Sequence, residues 1–319
     1  MSLLLDFDLD FDDYRRRYAR LARPNLLQDA AYGRAMARAQ GLQPRWGLLR
    51  DGNDELAVVQ VLERHALAGL LGAVVLDRGP LWLPGVADRA HAPAFFRAFD
   101  RRWPRRPGRR RRILPELPHG DETSALLHAA GCRAAGDLPY ATYIVSVDDA
   151  AECRRRLLPR WRQVLDRAHA AMADGRLHLD WPQPLARLPD LLRRHLAHRE
   201  AVGYRGPAQA ELNRLLLDYA KAGSLLIGEA RAGDSEQPCA LIALLCHGRG
   251  ATYQIAWNSE AGRRLGANNA LLWSALELLR ERGIAHLDLG GHSAIHTPGL
   301  MRYKAGLGGQ EWILAGMHD

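Results

Sequence analysis

Residues 251–310 read ATYQIAWNSEAGRRLGANNALLWSALELLRERGIAHLDLGGHSAIHTPGLMRYKAGLGGQ, and this stretch gathers most of the chain's concentrated chemistry. The aromatic and β-branched run Ala251 to Trp257 predicts a strand that delivers Trp257 and Asn258 at its end. Leu271, Leu272, Ala275, Leu276 and Leu279 then fall on one 3.6-residue face, with Asn268 as N-cap and Gly283 as stop, which predicts a helix over roughly 269–282. Ile284 to Leu289 alternates like a second strand and breaks into Gly290-Gly291, where backbone can approach a ligand closely. A second glycine-edged loop, 299–309, is expected to present Arg302, Tyr303 and Lys304.

The two halves of the chain follow one plan. In the first, Arg45 to Leu49 and Leu56 to Leu62 make a hairpin about Asp51-Gly52. A strand at Ala73 to Leu76, a helix at Pro93 to Arg102 and a strand at Arg111 to Glu116 follow. In the second, Ser224 to Glu229 and Ala240 to Cys246 pair before the strand, helix and strand already described. Hairpin, strand, helix, strand occurring twice predicts two copies of one α/β unit. Helical faces lie between them: Leu157, Trp161, Val164, Leu165, Ala168 and Met172, then Leu188, Leu191, Leu192, His195 and Leu196, then Leu212, Leu215, Leu216 and Tyr219. The boundary is expected near 149, giving domains 1–149 and 150–319.

Composition narrows the class. The chain has 319 residues, 47% hydrophobic and 25% charged, a globular balance with room for two domains. Four dispersed cysteines without a CxxC pair favour reduced thiols in the cytoplasm. No signal-like leader opens the sequence, and its longest apolar run is too short to span a bilayer, so a cytoplasmic protein without a membrane span is expected. The net charge of +8 is carried mainly by arginine, which suits carboxylate or phosphate recognition and equally fits an Arg-rich proteome. The cluster from Arg101 to Arg112 reads either as a solvated linker or as a surface for tRNA phosphates. Asp6, Asp8 and Asp10 lack the glycine and glutamate of a calcium loop. His286, His292 and His296 follow no metal-ligand spacing, so no metal site is expected. GxSxG, HExxH and Walker motifs are absent, which disfavours hydrolase and nucleotide-driven mechanisms.

Three ordered motifs, YQIAWNSEAGRRLGANNALLW, LDLGG and PGLMRYKAGLGG, resemble the Fem-type aminoacyl transferases of peptidoglycan interpeptide bridges. Weaker similarity runs upstream through LLQDAAYG, DRGPLW and PRWRQVLDRAHAA. The resemblance implies two tandem acetyltransferase-like (GNAT) domains, mixed sheets flanked by helices, with the active cleft in the second. It implies acyl transfer from aminoacyl-tRNA to an amine acceptor, with no tightly bound cofactor. Tyr303-Lys304 matches the family's aromatic-lysine pair, whose lysine is assigned to the reacting carbonyl or a nearby phosphate. Asp288 then accepts the amine's proton, orients the acceptor or caps the glycine turn. Arg302, Gly290, Gly291, His292, Trp257 and Asn258 line the substrate, and Tyr204 and Arg205 match the acceptor-side region. The segment 187–221 is too short and interrupted for the long helical arm of some members.

The runner-up is an acyl-CoA-dependent N-acyltransferase. Its handle is Arg263, Arg264, Gly266 and Asn268, a partial match to the basic turn that holds pyrophosphate at a helix N-terminus. A non-catalytic binding module on the same scaffold is the third reading.

Overall fold

The computed structural model describes residues 3–67, 70–136, 139–203 and 206–319. These form two compact units, Met1–Ala141 with Trp312–Asp319, and Thr142–Glu311. A division into consecutive halves at 149 has no place for this exchange: the last eight residues leave the second unit and complete the first.

The first unit is built on β1 (Leu3–Leu9), β2 (Gln43–Asp51), β3 (Asp54–Ala66), β4 (Leu71–Gly79), β5 (Leu81–Trp82) and β6 (Arg109–Pro115). The order is β1-β2-β3-β4-β6, with β5 on β3. Neighbours are antiparallel until β4 and β6, which run parallel. The helix Asp88–Arg102 makes the crossover between those two. Phe95, Phe96, Phe99 and Trp103 from that helix region and Val59, Val61 and Leu76 from the sheet are buried together as its core.

The second unit holds β7 (Ala141–Ser146), β8 (Leu177–Asp180), β9 (Leu225–Ala232), β10 (Pro238–His247), β11 (Gly250–Asn258), β12 (His286–His292) and β13 (Gln310–Ile313). Their order is β13-β7-β12-β11-β10-β9-β8. Strands β8 to β11 are antiparallel and β11 and β12 parallel, so the plan of the first unit recurs. The expected duplication of one mixed α/β unit is therefore the architecture of the molecule.

Local sequence explains the elements around the site. β10 is an interior strand because Cys239 to Leu245 is an unbroken apolar run, and both of its faces are buried. The helix Ala267–Glu281 buries Leu271, Leu272, Ala275, Leu276 and Leu279 against the sheet, as their spacing predicts. It starts earlier than expected. Ser259 caps a short helix, Glu260–Leu265, and Gly266 ends it in the left-handed conformation (φ 72°) while opening the longer helix. Asn268 thus lies inside the first turn and is not the cap.

A second difference bears directly on function. The expected loop at 299–309 is in fact largely a helix, Pro298–Gly306. Proline at its first turn and the helix-forming run Leu300 to Ala305 outweigh the glycines at either end. The Arg101 to Arg112 cluster also differs from a solvated linker: it closes one helix and forms most of β6. Within it, Arg111 binds Asp100 (2.6 Å) and Arg105 binds Asp319 (2.8 Å). Met172, expected in the core stripe of Pro159–Ala173, is 36% exposed at that helix's end.

Candidate active site

β11 and β12 pair in register through Thr252↔Asp288, and β11 then continues to Asn258. Parallel strands present ligand sites at their carboxyl ends. Asp288, Gly290 and Gly291 lie at that end of β12, and Trp257 and Asn258 at that end of β11.

The helix Pro298–Gly306 brings Lys304 onto this edge. Lys304 is 5% exposed, and its Nζ donates to the carbonyls of Gly290 (2.9 Å) and Gly291 (2.8 Å). Burial holds its pKa down to about 8, while the Asp288 carboxylate pulls the other way. Asp288 is itself buried, and its Oδ1 accepts from the Gly290 amide (2.8 Å). The Thr142 hydroxyl lies 2.5 Å from the same Oδ1 and 3.0 Å from the Gly290 carbonyl, so its one proton serves a single acceptor at a time. Gly290 adopts φ 73°, a conformation that costs an L side chain on the order of 1 kcal/mol or more. A cation, a carboxylate and a hydroxyl therefore clamp one two-glycine segment, which lies within β12 and, contrary to expectation, does not break the strand. Among the roles expected for Asp288, the bond from the Gly290 amide fits that of capping the glycine segment.

Residues 151–305 match the family model described as an acetyltransferase (GNAT) domain. This segment is similar to a GNAT domain. Over the whole chain the fold resembles the crystal structure of FemX, with 12% identity, a TM-score of 0.78, and coverage of 100% of this chain and 97% of that one. It also resembles the C-terminal domain (DUF2156) of a putative lysylphosphatidylglycerol synthetase from Agrobacterium fabrum, at 15% identity and TM-score 0.53, covering 97% and 92% of the two chains. A tandem GNAT protein from the clavulanic acid biosynthesis pathway is similar at 12% identity and TM-score 0.50, covering 100% and 98%. At these identities the likeness is one of fold, a Fem-type tandem-GNAT fold. No curated protein matches the chain significantly.

Other expected residues of the second unit have specific partners. Tyr303 donates its hydroxyl to the Asn268 carbonyl (3.1 Å), which ties the lysine-bearing helix to the start of Ala267–Glu281. Burial, and then Tyr253, raise its pKa well above the ordinary phenol value, so it stays protonated. Arg302, its neighbour, is exposed. His292 stacks on Tyr143 (centroids 4.7 Å apart) with Nε2 3.3 Å from the Glu311 carboxylate. Burial lowers its pKa, Glu311 opposes this, and Lys304 adds to it. The Trp257 face lies under the Arg194 guanidinium at 4.6 Å. Asn258 Oδ1 and Asn268 Oδ1 are both buried without a hydrogen-bond partner among the described residues.

The proposed phosphate turn is largely bonded to itself. Arg263 donates to the Asn258 carbonyl (2.9 Å) and Arg264 pairs with Glu260 (2.5 Å). Ser259 Oγ takes the Gly262 amide, and the Arg263, Gly266, Asn269 and Ala270 amides bond to carbonyls within the two helices. Tyr204 and Arg205 lie outside the described residues. Among the described residues no group of three or more His, Cys, Asp or Glu side chains is placed to hold a metal, and no helix is long and apolar enough to cross a membrane.

Sequence reading missed Thr142 and Glu311. Neither belongs to a local motif: Thr142 is 146 positions from Asp288, and only sheet pairing brings them together.

Proposed function

We propose that this protein is an N-acyltransferase that moves an aminoacyl group from aminoacyl-tRNA to an amine at the carboxyl ends of β11 and β12. The single observation carrying this reading is the Lys304 ammonium, withdrawn from water and anchored on the Gly290-Gly291 segment. An ammonium has three donors, and two are used by these carbonyls. The third is aimed at the acyl oxygen, where charge develops as the amine attacks the ester carbonyl. The C–N bond forms, the ester C–O bond breaks, and the terminal oxygen of the tRNA leaves with the proton released by the amine. An α-amine with a pKa near 7.7–8.0 is partly neutral at physiological pH, so no strong base is required. Asp288 and Thr142 act as positioning residues that fix the segment holding the lysine.

The acceptor belongs to the class of amine-bearing peptidoglycan precursors or other small amines, in keeping with the FemX-like fold. The acetyltransferase description of the matched model favours acyl-CoA as the second reading of the donor. The Gly262, Arg263 and Gly266 amides are taken up within the turn, which supports the tRNA reading, because a pyrophosphate cradle needs free N–H groups. Thermal unfolding distinguishes the donors, since a ligand that binds only the native state raises the midpoint. A rise with aminoacyl-tRNA, absent with acetyl-CoA, is expected. Protection by acetyl-CoA alone, with acetylated product by mass spectrometry, overturns the tRNA assignment.

Asp288→Asn keeps an oxygen that can accept the Gly290 amide but removes the charge facing Lys304. The expected result is a roughly tenfold loss in kcat with KM little changed, and an activity profile whose alkaline limb moves to lower pH as the lysine loses its counter-charge. An unmoved limb removes Asp288 from the control of Lys304.

A further inference from the structure

The connection between β3 and β4 in the first unit carries an apolar surface that the proposed reaction does not use. Leu67, Leu70 and Leu71 are 68%, 69% and 46% exposed, although an aliphatic side chain of this size is ordinarily buried. They sit together at one hairpin end, and β6 runs directly beside it: Gly72 pairs with Arg109, and the Gly72 amide donates to the Gly108 carbonyl at 2.9 Å. The approach is close enough that a Cβ on Gly108 would lie 2.5 Å from the Leu70 carbonyl oxygen and 3.1 Å from Leu71 Cδ2.

The flanking segment is the most basic in the chain. Residues 101–112 contain eight arginines and no acid. Arg101, Arg102, Arg106 and Arg110 are exposed. Burial, and then the charges of Arg106, Arg111 and Arg102, lower the pKa of Arg109, while Glu63 opposes them. Leucines beside an arginine-rich segment fit the boundary of an anionic bilayer, where aliphatic side chains enter the acyl region and cations meet phosphate headgroups.

We infer that Leu67, Leu70 and Leu71 at the facing ends of β3 and β4, beside the arginine-rich 101–112 segment, form a docking surface for an anionic lipid bilayer. Nucleic acid would engage the arginines equally well. Its sites add aromatic stacking platforms, however, and gain little from three exposed leucines. The leucines therefore favour lipid.

Vesicle flotation of the full chain tests this. With vesicles of phosphatidylcholine and phosphatidylglycerol the protein is expected to float, to release as salt rises, and to stay behind with phosphatidylcholine alone. Leu67→Ser/Leu70→Ser/Leu71→Ser should abolish flotation. Arg106→Glu/Arg110→Glu should weaken it at least about 25-fold, near fivefold for each basic residue lost. Circular dichroism melts verify that both variants remain folded. Leu70→Trp in the otherwise unchanged chain should show blue-shifted emission only with anionic vesicles. The inference is overturned by absence of flotation or by flotation unchanged in the folded leucine variant. It is equally overturned by binding of an RNA duplex without vesicle binding, or by leucine-dependent self-association in place of it.

Discussion

Lys304→Met is expected to lower turnover by about 10² to 10³ while the protein remains folded, the loss typical of one donor to a developing oxyanion. Methionine fills similar volume without the charge. The variant separates catalysis from packing because the two move differently with pH. Activity needs Lys304 protonated and the acceptor amine neutral, so the wild-type profile should fall on its alkaline side near the lysine pKa of about 8. Stability should do the opposite. Below that value the ammonium is charged in both folded and unfolded chains, and the cost of burying it is fully present. Between about 8 and the ordinary lysine value of 10.5 the unfolded chain holds the proton and the folded chain does not, so wild-type stability rises with pH. The slope approaches about 1.4 kcal/mol per pH unit relative to the methionine variant. Urea melts of both proteins from pH 7 to 10 measure it. Parallel curves would mean that Lys304 is not buried as described, and an unchanged rate would remove it from the mechanism.

Gly308→Ala should be the most damaging small change near the site. Gly308 follows the lysine-bearing helix with φ 79°, and a Cβ there would stand 2.2 Å from the Arg156 carbonyl oxygen and 2.6 Å from its carbon. Neither contact is with a flexible side-chain end, so the backbone must move. The left-handed conformation alone costs about 1–2 kcal/mol, and the collision should bring the total to roughly 3 kcal/mol or more. For a unit of this size that is a fall in midpoint on the order of 10 °C. Gly283→Ala is the matched control: φ is 70°, but nothing lies within 4 Å of the new carbon. Its loss should be confined to the conformational part. Equal losses in the two variants would show that Gly308 is not pressed against Arg156. Because the Leu158 amide bonds to the Gly306 carbonyl at 3.0 Å, the Gly308 variant should also displace Lys304 and lose activity beyond its loss of stability.

These residues mark how far sequence carries. The apolar run of β10 and the leucine face of Ala267–Glu281 were legible because strand and helix periods are local, and the repeated α/β plan followed from them. The Lys304 segment was misread because glycine at 299, 306, 308 and 309 suggested loop, while Pro298 and the helix formers after it prevailed. Gly266 replaced Asn268 as the start of a helix because the preceding turn was already helical. Arg111 and Arg105 were invisible as structural residues, since their carboxylate partners are Asp100 and Asp319, and Asp319 is 214 positions from Arg105. The same limit hid Thr142. Motifs located Asp288, the glycines and Lys304, but the network joining them is made by strand neighbours that no spacing rule reports.

The closing segment of the first unit has a consequence for how the protein is made. Ile113 and His318 exchange backbone hydrogen bonds of 2.8 and 2.7 Å, the Ala135 amide bonds to Met317, and Arg105 grips Asp319. A nascent chain leaving the ribosome therefore displays nearly all of its amino-terminal unit long before the strip that seals it is translated. The later-made second unit has every residue through Glu311 available sooner. Although the first unit leads in synthesis, it is the last to be completed.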